Sequence, residues 1–124
     1  MNQLNSLILE GNVKDNAEMH SGIATFTVGV KRYFKNSKDE LMEEISYFDI
    51  EAYGKMGELV LENAVKGMKL RIVGRLKQKR WEENGKTQSK VYVVAEHIEY
   101  LKNEIYVVAE HTEQLKNEKE NKND

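Results

Sequence analysis

Apolar and polar residues alternate along much of the chain, and a period of two is typical of β-strands with one buried face. The clearest case is residues 23–31 (IATFTVGVK), where Ala24, Phe26, Val28 and Val30 alternate with small or polar residues. The same pattern predicts five strands in all, at residues 7–13, 23–31, 45–53, 69–81 and 91–101.

Between the third and fourth predicted strands, the apolar residues change to helical spacing. Met56, Leu59, Val60 and Ala64 recur at intervals of one to four residues, and Gly67 is placed to end the helix. The element order predicts an all-β fold with one short helix, arranged as a five-stranded OB-fold barrel with the helix between strands 3 and 4. An open α+β sandwich with the same element order is the alternative.

The alternation also predicts which side chains enter the core. In the third and fourth strands, the expected inward residues are Phe48, Ile50, Ala52, Leu70, Ile72 and Leu76. The expected outward residues of the third strand are Tyr47, Asp49, Glu51 and Tyr53. Three polar stretches are predicted to lie between strands: residues 14–22, a mobile loop at 36–44, and a turn at 82–86.

A segment near the end of the chain is duplicated. Residues 91–104 recur as residues 105–118 with 11 of 14 positions identical, and two copies are too few for a solenoid. The first copy has Ile98 and Tyr100 where the second has Thr112 and Gln114, so we expect the more apolar first copy to complete the barrel. The predicted domains are an OB-fold domain at 1–101 and, at 102–124, a flexible strand-like repeat with a charged tail.

Composition excludes several classes of function. The chain has no cysteine, which excludes disulfides, thiolate metal sites and a cysteine nucleophile. It shows neither a signal peptide nor an apolar run long enough to span a bilayer, so we expect a cytoplasmic protein. Asp49 and Glu51 could suggest metal-dependent phosphoryl chemistry, but no third ligand has suitable spacing. We therefore predict no enzyme activity, no metal and no cofactor.

Charge and aromatic residues point to nucleic acid. The net charge is −2, yet residues 69–80 contain six cations and no acid, and at physiological salt a phosphate senses such a local strip. Single-strand binding combines cations that follow the phosphates with aromatic rings that stack on bases. The candidate phosphate-binding residues are Lys31, Arg32, Arg71, Arg75, Lys77, Lys79 and Arg80. The alternative is a subunit interface beside a solvated, charged sheet face.

Several segments resemble those of the bacterial single-stranded DNA-binding proteins, across residues 4–101. The segments are LILEGNV, ATFTVGVKRYFKN, YFDIEAYGKMGELV, VKGMKLRIVGRLKQKRW and VVAEHIEYL. The resemblance implies an OB fold, a homotetramer, nucleoid-associated binding of single-stranded DNA, and roles in DNA replication, repair or recombination. It implies that the base-stacking residues are Phe34, Tyr47, Tyr53 and Trp81, with Tyr33 as a further candidate.

This chain departs from the family pattern at three places. Tyr47 stands where the family often has tryptophan, and Asn16–Glu18 replaces an Asp-Pro-Glu sequence. Residues 118–124 lack the terminal aromatic of the replicative members, so we do not expect tail-mediated recruitment of replication proteins. Two alternatives remain at this point: a protein–protein module of primosome type and an RNA-binding OB domain.

Overall fold

The computed structural model describes residues 1–101, which form six β-strands and one α-helix. The elements are β1 (Leu7–Val13), β2 (Glu18–His20), β3 (Ile23–Lys35), β4 (Leu41–Tyr53), α1 (Gly54–Asn63), β5 (Lys69–Glu83) and β6 (Lys86–Leu101). The predictions for the duplicated segment and the charged tail concern residues 102–124, which lie outside the described residues.

The strands form one sheet in the order β1-β5-β6-β4-β3-β2. β1 also pairs with β3 at Asn12 and Val13, so five strands (β1, β5, β6, β4 and β3) close into a barrel, and β2 extends the sheet beyond it. β4 and β6 run parallel where they pair, at Ile50↔Val93 and Glu51↔Val94. The predicted all-β fold, a five-stranded OB-fold barrel with one short helix, is confirmed.

The predicted position of the helix needs one correction, because it lies between β4 and β5 and not between strands 3 and 4. The extra strand is β2, which pairs with residues 23–25 of β3 within a stretch that was predicted to be a loop. Ser21 and Gly22 both have positive φ, at 51° and 80°, as a two-residue hairpin turn requires. The sequence gives little warning of this strand, since it is three residues long and Ser21 is not a typical turn residue for that conformation.

The barrel core is apolar and comes from five strands and the helix. Its buried residues are Val13, Ala24, Phe26, Val28, Ile50, Ala52, Val60, Ala64, Leu70, Ile72, Val93 and Ala95. Phe48 and Leu76 face inward as predicted, since they pair with the core residues Val28 and Val93, but they are 40% and 49% exposed. For Leu76 the strand pairing gives the reason, because β5 pairs with β1 only as far as Gly74.

The predicted mobile loop at 36–44 is also wrong, because β4 begins at Leu41 and pairs with Lys35 at the end of β3. The turn is held by the Asn36 side chain, whose Oδ1 accepts backbone N–H bonds from Lys38 at 2.9 Å and Glu40 at 3.0 Å. In the other hairpin, Asn84 and Gly85 have φ of 53° and 76°, which confirms the predicted turn at 82–86. The last strand begins at Lys86, five residues earlier than predicted.

Helix α1 packs against the barrel through Gly57 and Val60, both of which are buried. A Cβ atom on Gly57 would lie 2.6 Å from the backbone oxygen of Ala52 and 3.4 Å from the Cβ of Ala24. The helix can therefore approach β4 this closely only with glycine at the contact. In residues 1–101, no helix is long and apolar enough to cross a membrane.

Gly57→Ala is expected to destabilise the protein although alanine is the better helix former. The steric overlap with Ala52 should lower the free energy of unfolding by about 1–3 kcal/mol, against a propensity gain of about 1 kcal/mol at an open helix position. Urea unfolding followed by circular dichroism measures this change. Glu62→Ala, at an exposed position of the same helix, is the control and should change the value by less than about 0.5 kcal/mol. A stabilised Gly57→Ala variant would contradict the packing.

Candidate nucleic-acid interface

Alternation along four neighbouring strands places a set of aromatic and charged residues on one side of the sheet, away from the core. We call this set the outer face. Directly paired residues point to the same side, as in Thr27↔Asp49 and Lys77↔Tyr92, so the register fixes which residues belong to it. The outer face comprises Lys31, Tyr33, Tyr47, Asp49, Glu51, Tyr53, Lys77, Lys79, Trp81, Lys90 and Tyr92.

The aromatic rings of the outer face remain accessible. Tyr47, Tyr53 and Trp81 are 55%, 40% and 43% exposed, and Tyr33 is also exposed. Ring faces presented to solvent on a sheet can stack against unpaired bases, whichever base is present. The structure therefore brings Tyr33, Tyr47, Tyr53 and Trp81 of the predicted stacking set onto one surface.

Lysines lie directly over several of these rings. The ammonium of Lys14 is 4.7 Å from the centre of the Tyr47 ring, and that of Lys77 is 5.5 Å from the centre of the Tyr53 ring. Such cation–π contacts stabilise the lysine side chains close to the rings. A strand that stacks on the tyrosines would therefore find positive charge within reach of its phosphates.

Tyr92 is an aromatic residue of the outer face that the sequence analysis missed. Lys79 and Lys90 lie over its ring, with ammonium-to-centre distances of 4.8 and 5.1 Å. The strand was predicted to begin at residue 91, which separated Tyr92 from Lys90. Continuing the alternation back through Lys90 would have placed both side chains on the same side as Lys79.

Three predicted residues lie on the opposite side of the sheet from the outer face. Phe34 and Arg32 lie on the other side of β3 from Tyr33, because adjacent residues of a strand point in opposite directions. The Arg32 guanidinium lies 4.6 Å from the centre of the Phe34 ring and its Nε donates to Glu44 at 3.0 Å. Arg80 likewise lies across β5 from its neighbours Lys79 and Trp81. The predicted stacking and phosphate-binding set is thus divided between two sides of the hairpins.

Arg71 and Arg75 are matched by acidic residues on neighbouring strands. Arg71 lies 2.6 Å from a carboxylate oxygen of Glu10 on β1 and 3.1 Å from one of Glu99 on β6, while Arg75 lies 3.4 Å from Glu96. The hydrogen bond with Glu10 raises the pKa of Arg71. In the basic strip at residues 69–80, the arginines near the start are therefore paired with acids. Only the lysines further along β5 lie close to the aromatic rings.

Glu51 faces outward from β4, as predicted, but it is buried, whereas an outward residue was expected to be exposed. Glu51 is 1% exposed, because its carboxylate is covered by Lys79 and by the hydroxyl of Tyr53, which donates to it at 3.0 Å. Two residues away, Asp49 accepts from Thr27 Oγ1 at 2.7 Å and lies 2.7 Å from Lys90 Nζ. The hydrogen bond from Lys90, with that from Thr27, lowers the pKa of Asp49.

These pairings leave the two carboxylates with cationic partners from the protein itself. Within the part of the chain that the structure describes, no group of three histidine or acidic side chains could hold a metal ion. Asp49 and Glu51 are thus each paired with a lysine of the outer face.

Comparisons with known proteins agree with this geometry. A family model described as the single-strand binding protein family matches residues 4–101. A single-stranded DNA-binding protein of Treponema pallidum (strain Nichols) is 32% identical over 106 residues, which cover 82% of this chain and 60% of that protein. One of Aquifex aeolicus (strain VF5) is 39% identical over 79 residues, which cover 64% of this chain and 54% of that protein. The chain thus matches somewhat over half the length of these relatives.

Solved structures share the fold. A Plasmodium falciparum SSB in complex with ssDNA superposes with a TM-score of 0.72 at 19% identity, covering 82% of this chain and 98% of the other. A small single-stranded DNA-binding protein from Streptomyces coelicolor gives a TM-score of 0.63 at 18% identity, covering 81% of this chain and 95% of the other. At these identities, the likeness shows the fold alone.

Asp49→Asn is expected to destabilise the protein in a pH-dependent way. Because the folded-state pKa of Asp49 is lowered, its carboxylate stabilises the fold above the usual aspartate pKa, and this contribution is lost as the pH falls through the lowered value. The urea midpoint of the variant should therefore lie below that of the wild type at about pH 7, and the difference should shrink towards about pH 3.

Asp15→Asn, at an exposed loop position, is the matched control and should show a smaller difference at both pH values. A wild-type advantage over Asp49→Asn that stays constant down to about pH 3 would contradict the assigned ion pair.

Proposed function

The chain belongs to the single-strand binding protein family, whose model matches nearly all of the described residues, and on this premise we propose that its outer face binds single-stranded DNA with little sequence preference. The observation that carries the proposal is the alternation of exposed rings and lysines on one surface. Tyr53 and Trp81 are exposed members of that surface, and Lys77 lies over the Tyr53 ring.

In the proposed complex, successive bases stack on the rings while phosphates meet the lysines. Each stacked base contributes about 1–3 kcal/mol and depends little on base identity, since every base has a π-face. The aromatic set that we propose for stacking is Tyr33, Phe34, Tyr47, Tyr53 and Trp81. Phe34 would be reached only if the strand passes around the edge of the β3–β4 hairpin, because it lies on the other side from Tyr33.

The proposed phosphate contacts differ in what the DNA must displace. Lys77 bonds only to the phenol oxygen of Tyr53 at 2.9 Å among the described contacts, so its charge is not compensated there by an acid. Lys31 has a long ion pair with Glu43, at 3.9 Å. Arg71 and Arg75 would have to exchange a carboxylate for a phosphate. We propose that Lys77 and Lys31 contribute first and that Lys79, which is paired with Glu51, contributes on the same face. Arg32 and Arg80 would contribute only where the strand passes to the other side of the hairpins, and Arg71 and Arg75 would contribute least.

Family membership also bears on the class of function. Members of the single-strand binding family bind DNA and are not enzymes. The two alternatives from the sequence, a protein–protein module and an RNA-binding domain, are not favoured, because the relatives are described as single-stranded DNA-binding proteins. We propose that the protein acts on exposed single strands in the cytoplasm and nucleoid, in DNA replication, repair or recombination.

We further propose a homotetramer. It is supported by exposed apolar side chains that the outer face does not use, among them Ile8 on β1, and by residues 7–11 of β1, which pair with β5 on one edge only. An unpaired strand edge beside exposed apolar side chains favours association with another copy. Light scattering would give four times the monomer mass if this is right, and a monomer or dimer mass would refute the tetramer.

Lys77→Ala is expected to weaken binding to an oligo-dT strand and to reduce its salt dependence. Removing one phosphate contact should lower the slope of log affinity against log salt by about 0.7. Trp81 is the single tryptophan of the chain, so quenching of its fluorescence reports binding at the outer face.

Lys55→Ala removes the same charge from the exposed start of α1 and is the matched control, with the salt slope expected to stay unchanged. Absence of quenching in the wild-type protein at low salt would refute the proposed function. Equal slopes for both variants would refute the role of Lys77.

A further inference from the structure

The outer face contains a carboxylate at its centre. Glu51 is the only charged side chain that is buried among residues 1–101, and it lies beneath Tyr53 and Lys79 and not in the barrel core. Burying a carboxylate is costly unless its oxygens are hydrogen-bonded and its charge is paired. A negative charge also opposes the binding of a polyanion. Stacking of a base on an exposed ring requires neither a buried carboxylate nor a negative charge, so the position of Glu51 needs a physical explanation.

Both oxygens of Glu51 are bonded to members of the outer face. Oε1 accepts the hydroxyl hydrogen of Tyr53 at 3.0 Å, and Oε2 is bonded to the ammonium of Lys79. The Tyr53 oxygen in turn accepts from Lys77 Nζ at 2.9 Å. Lys77, Tyr53, Glu51 and Lys79 therefore form one continuous chain of hydrogen bonds across β4 and β5.

This chain of hydrogen bonds restrains the Tyr53 ring at the end opposite its backbone attachment. The ring is 40% exposed, so packing alone covers only part of it, whereas its hydroxyl is fixed between a carboxylate and an ammonium. The same carboxylate holds Lys79, whose ammonium lies over the ring of Tyr92. A ring that is already fixed loses less conformational entropy when a base stacks on it.

We propose that Glu51 is a positioning residue of the binding face: it holds the Tyr53 ring and the Lys79 ammonium in their binding orientation before DNA arrives. The inference rests on the proposed binding of single-stranded DNA. It predicts an effect opposite in sign to simple electrostatics, because removing this negative charge should weaken binding to DNA.

The test is a double-mutant cycle on oligo-dT binding, with Glu51→Gln, Tyr53→Phe and the double variant. Each single variant should bind about three- to tenfold more weakly than the wild type, as expected for loss of one hydrogen bond that orients a contact. In the Tyr53→Phe background, Glu51→Gln should have a clearly smaller effect, since the single acceptor oxygen of glutamine then has only Lys79 to bind and not the Tyr53 hydroxyl as well. Glu58→Gln removes a carboxylate from α1 and should leave the affinity within twofold of the wild type.

The affinities are compared for folded protein, with circular dichroism and urea unfolding measured for every variant. A loss of stability without a loss of affinity would assign Glu51 to folding alone and overturn the inference. Tighter binding by Glu51→Gln would also overturn it, because simple charge removal would then dominate. If Glu51→Gln does not fold, Tyr53→Phe decides, and unchanged affinity of that variant overturns the inference.

The proposed function and the inference fail in different ways. If the wild-type protein does not bind oligo-dT, the proposed function fails and the inference fails with it. If the wild type binds and quenches Trp81 but the two single effects are additive, only the positioning role of Glu51 is refuted.

Discussion

Strand β1 closes the sheet, and the arrangement of the outer face depends on this closure. β1 pairs with β5 along residues 7–12 and with β3 at Asn12 and Val13. The strands come together so closely that a Cβ atom on Gly11 would lie 2.6 Å from the backbone oxygen of Gly29. Once the barrel is closed, one side of each strand is committed to the core. The residues between them must then face outward, where the rings and lysines collect.

Strand pairing in the closed barrel also decides which cations are paired with acids and which lie against aromatic rings, and the sequence alone does not show this. Acidic residues of β1 and β6 neutralise Arg71 and Arg75, while Lys77, Lys79 and Lys90 lie against tyrosine rings. The carboxylates that remain on the outer face are bonded to lysines. Lys77 lies over the exposed Tyr53 ring without an acid beside it among the described contacts, so a chain with a net charge of −2 can still present positive charge to a polyanion next to an exposed ring.

Local patterns in the sequence were sufficient to predict the long strands, the helix and the Asn84–Gly85 turn, since each depends on residues close together in the chain. The exposure of Phe48 and Leu76 could not be predicted, because alternation shows the direction of a side chain but not whether an opposing strand covers it. The burial of Glu51 depends on Lys79, 28 residues away, and the compensation of Arg71 depends on Glu10, 61 residues away. Such contacts exist only after the strands have paired. Tyr92 was missed for a simpler reason, because the start of β6 was placed too late.

The central claim is that single-stranded DNA lies across the outer face, and photo-crosslinking tests it most directly. A dT oligonucleotide carrying bromodeoxyuridine would be irradiated in complex with the protein, and the crosslinked residues would be identified by mass spectrometry. The account predicts crosslinks at Trp81, Tyr53 or Tyr47, reduced in yield as the salt concentration rises. Crosslinks confined to β1 and to the part of β5 around Arg71, with none on the outer face, would contradict it.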